Sequence, residues 1–435
     1  MSRRRGSLRW ILGAYLVALA ASTASRLAKP VDGTVAPDER TIAVSIGTAA
    51  PSIRLAYRDE RPADSLRGTP VILLHGSPGD NGEVTSLTRA LASTRRAVAP
   101  DLPGFGGSSR RIPDYSIRAH AEYVAALMDS LGLTRAHVVG FSMGGGVALH
   151  LAERWPERVA SVVLLSAIGA QEYELLGDYY LNHAIHRLQQ AGLWLLLNAV
   201  PHFGAWDDGM LSIEYARNFS DTDQRPLRAI MSRWQGPALV VQGDRDALVD
   251  PAVARESHRL MPQSELVMFT GPEADHFLTF QRPDTVVAVL APFFDRVDRG
   301  VAPTRATAPP ERLRAAERPF DPASIPPVVG VALGVLLLLI AAATFVSEDL
   351  ACIATGLMVA RGTIDFVPGL VACFVGIVAG DLWLYGMGRW LGRPALRRAP
   401  LRWFVSEAAV ERSAAWFARR GTTIVLLTRF IPGTR

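Results

Sequence analysis

The sequence contains few cysteines and almost no lysine. Its two cysteines, Cys352 and Cys373, both lie in an apolar C-terminal region, so the rest of the 435-residue chain holds neither a disulfide framework nor a CxxC zinc site. Lys29 is the only lysine, and the positive charge therefore comes from arginines, which cluster beside apolar segments. This distribution is typical of the cytoplasmic flanks of membrane helices, and it favours a membrane protein over a nucleic-acid-binding protein.

The chain also lacks the common signatures of metal and phosphate binding. Its nine histidines include no HExxH motif and no pair with the spacing of metal ligands. The glycine-rich stretch GFGGSS at 104–109 has no P-loop lysine, so it is interpreted as a loop beside a site rather than a phosphate cradle. We therefore expect no metal site.

Long apolar runs stand near both ends of the chain. Within residues 1–28, four arginines precede the run Ile11–Ala21, and small residues follow it. This pattern indicates a signal peptide or a signal anchor, with a weaker twin-arginine alternative. Either interpretation leaves the N-terminus in the cytoplasm and places the next domain on the far side of the membrane. The run Val328–Val346 carries no charge and is about as long as a bilayer core requires.

Strand-like and helix-like patterns alternate over about 40–298. Runs such as PVILLHG and VASVVLLSAIG alternate with amphipathic stretches such as IRAHAEYVAALMDSLGL, which predicts a doubly wound, mostly parallel α/β sheet. The alternation stops over about 167–234, where a helical cap is predicted above the sheet. Its Tyr179, Trp194 and Trp206 are expected to form the core of the cap or to line a pocket. Residues 299–327, rich in Pro, Ala and Arg, predict a linker.

The stretch VVGFSMGGG contains a G-x-S-x-G pattern centred on Ser142. A tight strand-to-helix turn exposes such a serine, the flanking glycines remove side chains that would clash, and the helix N-terminus directs its amides at an oxyanion. The pentapeptide alone is only moderately specific. Ser142 is therefore either a nucleophile or a hydroxyl in a glycine-rich turn.

Motifs on either side of this turn favour the nucleophile. HGSPG, at 75–79, follows a buried strand and would supply the N–H of Ser77 as an oxyanion donor, with Met143 supplying a second one. GDRDALVDP places acids at a strand end, and ADHFLTF places His276 on a loop before a helix. The order serine, acid, histidine matches a known class of triads. His75 is interpreted as structural.

Residues 40–298 resemble the capped members of the α/β-hydrolase superfamily, through HGSPG, DLPGFGGS, GFSMGG, GDRDALVDP and DHFLTFQRP. The resemblance implies that Ser142 attacks an acyl carbonyl and that His276 transfers the proton, without a cofactor. It implies an ester, amide or thioester substrate, either a small molecule or one derived from a lipid. A serine nucleophile disfavours the epoxide-hydrolase and dehalogenase variants of the fold.

Three acids compete for the third position of the triad. The family places this acid three residues after the strand-end glycine, Gly243, which favours Asp246 over Asp244 and leaves Asp250 as the weakest candidate.

An acidic pair, Glu348 and Asp349, interrupts the apolar C-terminal region. We favour a re-entrant hairpin over 328–360 that faces protein or water, because charges at bilayer depth are expensive and Ala351–Ala360 is too short to span. The alternative is that the pair caps a helix at the interface. The arginines that follow the next apolar segment, 366–388, are expected to be cytoplasmic.

Residues 328–435 resemble the DedA family of bacterial membrane proteins, also called the VTT or SNARE-associated domain, through SEDL, GDLWLYGMGRWLG and TRFIPGTR. The resemblance implies an all-α membrane domain in the bacterial inner membrane and a link to transport of lipid carriers such as undecaprenyl phosphate, or to lipid scrambling. It assigns function to Glu348 or Asp349, with Arg429 and Arg435. One acid often found earlier in the family is missing, and the pattern stops where a second hairpin should continue, so the module is expected to be incomplete.

The leading hypothesis is a membrane-anchored serine hydrolase on the periplasmic or external face, fused to a lipid-transport module that contacts the bilayer and a lipid carrier. The alternatives are a transporter with an accessory hydrolase domain, and a receptor with an intact but non-catalytic serine. No nucleic-acid partner is expected. The oligomeric state and the coupling between the two modules stay open.

Overall fold

The computed structural model describes residues 2–28, 32–46, 52–62, 68–174, 176–396, 410–416, 418–419 and 421. They divide into two compact units, Met1–Phe320 and Asp321–Arg435.

Within the described residues the first unit holds one sheet of eight strands. The strands are β1 (Arg40–Val44), β2 (Ile53–Glu60), β3 (Val71–Leu74), β4 (Ala97–Pro100), β5 (Ala136–Phe141), β6 (Val159–Leu165), β7 (Ala238–Gly243) and β8 (Glu265–Phe269). Their order is β1-β2-β4-β3-β5-β6-β7-β8. The β1–β2 and β2–β4 pairs are antiparallel, and all the others are parallel. The prediction of a mostly parallel α/β sheet is confirmed.

Helices connect and cover the strands. In the first unit they are α1 (Ser2–Leu27), α2 (Thr85–Leu91), α3 (Ile117–Ser130), α4 (Met143–Arg154), α5 (Tyr179–Ala199), α6 (Ile213–Asp221), α7 (Arg225–Arg233), α8 (Pro251–Leu260), α9 (Leu278–Gln281), α10 (Pro283–Asp298) and α11 (Pro310–Ala316). In the second they are α12 (Gly330–Ala343), α13 (Glu348–Ala360) and α14 (Phe366–Leu396).

Alternate residues of β3 enter two separate hydrophobic cores, one on each face of the sheet. Ile72 and Leu74 pack into the core that includes residues of α3 and α4, whereas Val71 and Leu73 pack into the core that includes residues of α2 and α10. Successive strand residues point to opposite faces, so a continuous apolar run fits a strand covered on both sides. This double cover leaves the carboxyl ends of the strands for the loops that carry chemistry.

Helices α5, α6 and α7 lie between β6 and β7 in the chain, where the cap is predicted. Asp178 caps α5 by accepting a hydrogen bond from Leu181 N at 3.0 Å. The buried face of α5 carries Asn182 and His186 together with one leucine. Trp194 lies on a different face and is 59% exposed, so it does not form the core of the cap, and its expected place in a pocket stays a prediction. The helix therefore buries two polar side chains, Asn182 and His186, while Trp194 is exposed.

The segment predicted as a linker, 299–327, is for most of its length part of the first unit. Arg312 in α11 donates to the His258 carbonyl near the end of α8 at 2.6 Å. Arg259 in α8 donates in return to the Ala315 carbonyl near the end of α11 at 2.7 Å. Each arginine thus donates to a carbonyl in the last turn of the other helix, and this exchange holds the segment in place.

Over residues 330–396, the second unit consists of two short helices and one long one. α12 and α13 have 14 and 13 residues, or about 20 Å each at 1.5 Å per residue, which is less than a bilayer core. The window Phe366–Trp390 in α14 is long and apolar enough to cross a membrane, as is Trp10–Leu27 in α1. Helices α12 and α13, with the break between them, match the helical part of the predicted hairpin. Its course in a bilayer stays a prediction.

The acidic pair opens α13. Ser347 caps this helix by accepting a hydrogen bond from Leu350 N at 3.3 Å, and Glu348 and Asp349 occupy its first turn, where the helix dipole favours negative charge. The location thus also matches the helix-cap alternative. Arg429 and Arg435 lie outside the described residues.

Candidate active site

Ser142 stands at the turn between β5 and α4 in a left-handed conformation, with φ 51° and ψ −120°. Its backbone N donates to the Leu165 carbonyl, and its carbonyl accepts from Gly145 N, each at 3.1 Å. A non-glycine residue with positive φ is strained and persists only where its surroundings hold it. The turn therefore has the geometry by which a strand-to-helix elbow presents a serine.

Gly144 brings the start of α4 directly against the end of β3. A Cβ atom at position 144 would lie 2.6 Å from the Leu74 carbonyl oxygen, a backbone atom that cannot move aside. Only glycine fits there. The elbow is thus held beside the loop that follows β3, which contains HGSPG.

His276 and Asp246 form a hydrogen-bonded pair at the same edge of the sheet. His276 Nδ1 lies 2.8 Å from Asp246 Oδ2, and both residues are buried. The imidazole packs against the Phe141 ring, with 5.0 Å between centroids, and Phe141 immediately precedes Ser142. The structure therefore pairs His276 with Asp246 and packs the imidazole against the residue before Ser142.

Backbone and side-chain donors fix the Asp246 carboxylate. Its Oδ1 accepts from Leu248 N at 2.9 Å and from Val249 N at 2.8 Å. Its Oδ2 also accepts from Gln242 Nε2 at 2.7 Å. Gln242, a buried amide at the end of β7, is a residue that the sequence analysis missed, although a polar side chain in the apolar run ALVVQG was a usable signal.

The other two candidate acids have different surroundings. Asp244 is exposed. Asp250 caps α8, with its Oδ1 accepting from Ala252 N at 2.7 Å. Of the three described carboxylates, the structure pairs Asp246 with His276.

His75 orients the peptide group between Gly76 and Ser77. His75 Nε2 lies 2.9 Å from Leu102 N and accepts its hydrogen bond, so the ring proton is assigned to Nδ1, which donates to the Gly76 carbonyl at 2.7 Å. The N–H of Ser77 belongs to the same trans peptide plane and points the opposite way from that carbonyl. Burial lowers the pKa of His75, which keeps the ring neutral for this role. The structural interpretation of His75 thus extends to the predicted oxyanion donor.

Glu83 holds Gly76 from the other side. Its Oε2 accepts from Gly76 N at 2.8 Å, and burial raises the pKa of the Glu83 carboxyl. A Cβ atom at position 76 would lie 3.0 Å from the Ser142 Cβ atom and 3.3 Å from Glu83 Oε2. Glu83 is therefore part of the site. It could not be predicted from the sequence, because the acids of the stretch GDNGEV, Asp80 and Glu83, form no recognisable motif.

The two predicted oxyanion donors, Ser77 and Met143, lie in chain segments next to Ser142. Met143 is the first residue of α4, so its N–H is one of the amides without a partner inside the helix. Ser77 lies in the loop that contacts the elbow, and its hydroxyl is buried without a hydrogen-bond partner among the described residues. Both positions suit an oxygen atom bound next to Ser142.

Two protein families match the chain. The family described as "alpha/beta hydrolase fold" matches residues 69–192, and the VTT domain family matches residues 329–435. The chain joins an α/β-hydrolase domain to a VTT domain. Both resemblances drawn from the sequence motifs are confirmed, and the VTT domain is a membrane family.

Individual relatives cover the chain only in part. The dihydrolipoyllysine-residue acetyltransferase component of an acetoin cleaving system from Pseudomonas putida is 31% identical over 237 residues, which are 50% of this chain and 61% of that protein. A 2-hydroxymuconate semialdehyde hydrolase from Pseudomonas putida is 40% identical over 112 residues, 24% of this chain and 39% of that protein. A solved esterase from Thermogutta terrifontis is 21% identical, with a TM-score of 0.47, and covers 60% of this chain and 99% of its own. The chain thus spans less than two thirds of these curated relatives.

Proposed function

We propose that the protein is a membrane-anchored serine hydrolase that cleaves an ester, amide or thioester through Ser142, His276 and Asp246. The observation that supports this most is the buried 2.8 Å contact between His276 Nδ1 and Asp246 Oδ2, beside a serine held in a left-handed elbow. A buried imidazole with its Nδ1 proton bound to a carboxylate leaves Nε2 as the atom that accepts a proton.

The proposed reaction has two halves. Ser142 Oγ attacks the acyl carbonyl carbon while His276 Nε2 takes the hydroxyl proton, and Asp246 stabilises the imidazolium. The N–H groups of Ser77 and Met143 donate to the oxyanion of the tetrahedral intermediate. His276 then gives its proton to the leaving group, and water removes the acyl group from Ser142 by the same steps.

Covalent labelling with a fluorophosphonate probe tests the nucleophile. We expect the full-length protein to be labelled and Ser142→Ala to lose labelling entirely. Ser166→Ala is the matched control, because Ser166 also ends a strand with a left-handed φ of 44° and its buried hydroxyl has no partner among the described residues. Labelling that survives in Ser142→Ala, or its absence from the folded wild-type protein, would show that Ser142 is not the catalytic nucleophile.

For the VTT domain we propose a part in moving a lipid carrier, with the hydrolase domain on the external face of the inner membrane. The location of Glu348 and Asp349 at the start of α13, beside two helices too short to span, supports this second role. A translocation assay in proteoliposomes compares Glu348→Gln with Ser142→Ala. Loss of translocation only in Glu348→Gln favours a transporter with an accessory hydrolase. Loss of translocation in both variants favours coupled domains. Translocation that persists in both variants counts against transport through this acid.

A further inference from the structure

Helix α1 contacts the cap along much of its length. The Tyr15 hydroxyl donates to the Ala199 carbonyl at the end of α5. Seven residues further along, Ser22 Oγ accepts from Phe203 N at 2.8 Å, and Ser22 is fully buried by this contact. The cap segment after α5 therefore runs beside α1.

Arg26 closes this contact at the C-terminal end of α1. Its Nη1 donates to the Leu197 carbonyl at 2.9 Å, and its Nε lies 3.0 Å from Asp207 Oδ1 in a half-buried ion pair. A pair that also bonds the backbone at the end of α5 fixes the direction in which α1 leaves the domain. Three separate polar contacts thus join α1 to one side of the cap.

The first of these contacts lies well inside the apolar part of α1. The window Trp10–Leu27 has 18 residues, or about 27 Å of helix, close to the thickness of a bilayer core. Tyr15 lies twelve positions before Leu27, which is about 18 Å along the helix axis. If α1 crosses the bilayer, the end of α5, which contacts both Tyr15 and Arg26, lies between the depth of the lipid chains at Tyr15 and the membrane surface at Arg26.

The cap exposes several large apolar side chains, which we call the cap patch. It consists of Leu188, Trp194, Leu195, Phe203, Met210 and Leu211. These side chains are 41% to 69% exposed. Phe203 contacts Ser22 of α1 through its backbone N, and Leu195 lies one helical turn before Ala199, whose carbonyl accepts from Tyr15. Single exposed apolar residues are ordinary, but a group of this size in a cap that contacts an apolar helix marks an interaction surface.

Charged residues lie where α1 would reach the membrane surface. A cavity of about 450 Å³ at the C-terminal end of α1 is lined by residues that include Arg26, Arg110, Arg111, Asp207 and Glu214. Charged residues thus lie at this end of α1, and its preceding turns contact Ala199 and Phe203 of the cap. This arrangement follows the order of polar and apolar layers at a bilayer surface.

We propose that the cap patch is embedded among the lipid chains of the leaflet in which α1 ends, so that the cap and α1 form one membrane anchor. The inference rests on the membrane-anchored state in the proposed function, but not on catalysis. It also gives the hydrolase domain a substrate class, because an acyl lipid in that leaflet then lies against the cap without passing through water.

Site-specific fluorescence tests this placement in the full chain. Cys352 and Cys373 are replaced by alanine, and single cysteines for an environment-sensitive fluorophore are introduced in three variants, Leu195→Cys, Val17→Cys and Val301→Cys. Val17 on α1 is 69% exposed and is the membrane control, whereas Val301 after α10 is 64% exposed and is the matched water control. Each protein is reconstituted in phosphatidylcholine vesicles, and the fluorescence of its label is quenched with lipid that is spin-labelled on its acyl chain or with iodide.

We expect the label at position 195 to behave as the label at position 17 does. Spin-labelled lipid should quench it several-fold more strongly than it quenches the label at position 301. Iodide should quench it several-fold less than it quenches the label at position 301. Iodide quenching equal to that at position 301 would overturn the inference. Protection from both quenchers would overturn it as well, because a protein surface then covers the patch. If the label at position 17 is itself not quenched by lipid, the anchoring in the proposed function fails; lipid quenching at 17 but not at 195 refutes the cap placement alone.

Discussion

Glu83 and His75 hold the two peptide groups on either side of Gly76. The carboxylate accepts the Gly76 N–H, and the imidazole donates to the Gly76 carbonyl. Together they fix the loop whose next N–H, that of Ser77, is the proposed oxyanion donor. The loop is therefore oriented by the buried His75 and the half-buried Glu83 before any substrate binds.

Removing the Glu83 carboxylate should slow catalysis rather than weaken binding. In Glu83→Ala the Gly76 N–H loses its acceptor and the Ser77 N–H loses its alignment. We expect the maximal rate of fluorophosphonate inactivation to fall by roughly 10- to 100-fold, less than the 10²–10³-fold cost of deleting an oxyanion donor. The concentration of probe at half-maximal rate should change little.

Glu83→Gln is the control for this prediction, because its amide oxygen still accepts from Gly76 N. We expect it to regain most of the lost inactivation rate. Equal defects in both variants would mean that the charge of Glu83, and not its hydrogen bond to the loop, matters.

Among the acids of GDRDALVDP, only Asp246 should be needed for activity. Asp246→Asn replaces an acceptor of the Nδ1 proton with an amide, which disturbs the tautomer of His276, and a comparable change in a known triad costs about 10⁴-fold in rate. Asp244→Asn, at an exposed position two residues away, should leave the inactivation rate unchanged. A large loss of inactivation rate in Asp244→Asn would show that the acid of the triad has been assigned to the wrong residue.

His120 should make the hydrolase unit less stable in mild acid. The ring is fully buried between α3 and the loop that carries Phe105, and burial lowers the pKa of His120 from 6.5 to about 3. Between these two values the unfolded chain binds the proton and the folded one does not, so stability is complete above the higher value and is lost as the pH falls through the window. At about pH 5 the contribution lost is about 2 kcal/mol.

The His120→Leu variant removes this group while filling its space. Pulse proteolysis of the full-length protein at about pH 7 and pH 5 gives the free energy of unfolding of the hydrolase unit at each pH. We expect the variant to lose about 2 kcal/mol less than the wild-type protein over this interval. Parallel losses would show that His120 is protonated in the folded state.

A close contact between α12 and α14 should make Gly376 sensitive to any side chain. A Cβ atom there would lie 2.5 Å from the Ala341 carbonyl oxygen, so Gly376→Ala must push the helices apart, and overpacking of this kind costs about 1–3 kcal/mol. Gly386→Ala is the control, because nothing lies within 4 Å of the corresponding point on the same helix.

We expect Gly376→Ala to lower the temperature at which the C-terminal unit becomes sensitive to protease, and Gly386→Ala to leave it unchanged or raised. Fluorophosphonate labelling should stay normal in both. Equal protease sensitivity in the two variants would contradict the helix contact.

The motifs around the site could be read from the sequence because backbone geometry restricts their residues. Gly144 is required where α4 meets the Leu74 carbonyl, and this requirement leaves the G-x-S-x-G pattern that marks Ser142. Glu83 and Gln242 obey no such local rule, since each is defined by a partner that the fold brings to it. Long-range contacts of this kind leave no spacing in a single sequence.

Two other regions show where composition misleads. Periodicity in α5 predicts an amphipathic helix but does not reveal which face is buried, and the inward face holds the polar Asn182 and His186 while Trp194 is exposed. The Pro, Ala and Arg content of 299–327 is typical of a linker, yet Arg312 bonds the end of α8 and attaches the segment to the domain. In both segments, a few specific contacts determine the structure, and these contacts cannot be predicted from the average composition.

The four donors around the Asp246 carboxylate have a consequence for the reorganisation energy of the proposed reaction. The carboxylate is already oriented by two backbone amides, by Gln242 and by His276. It therefore does not have to turn when charge develops on the imidazole. Water molecules around a free carboxylate would have to reorient at each turnover, whereas these dipoles are aligned during folding. On this side of the site, the dipoles that solvate the charge are therefore oriented once, when the enzyme folds, and not again for each molecule of substrate.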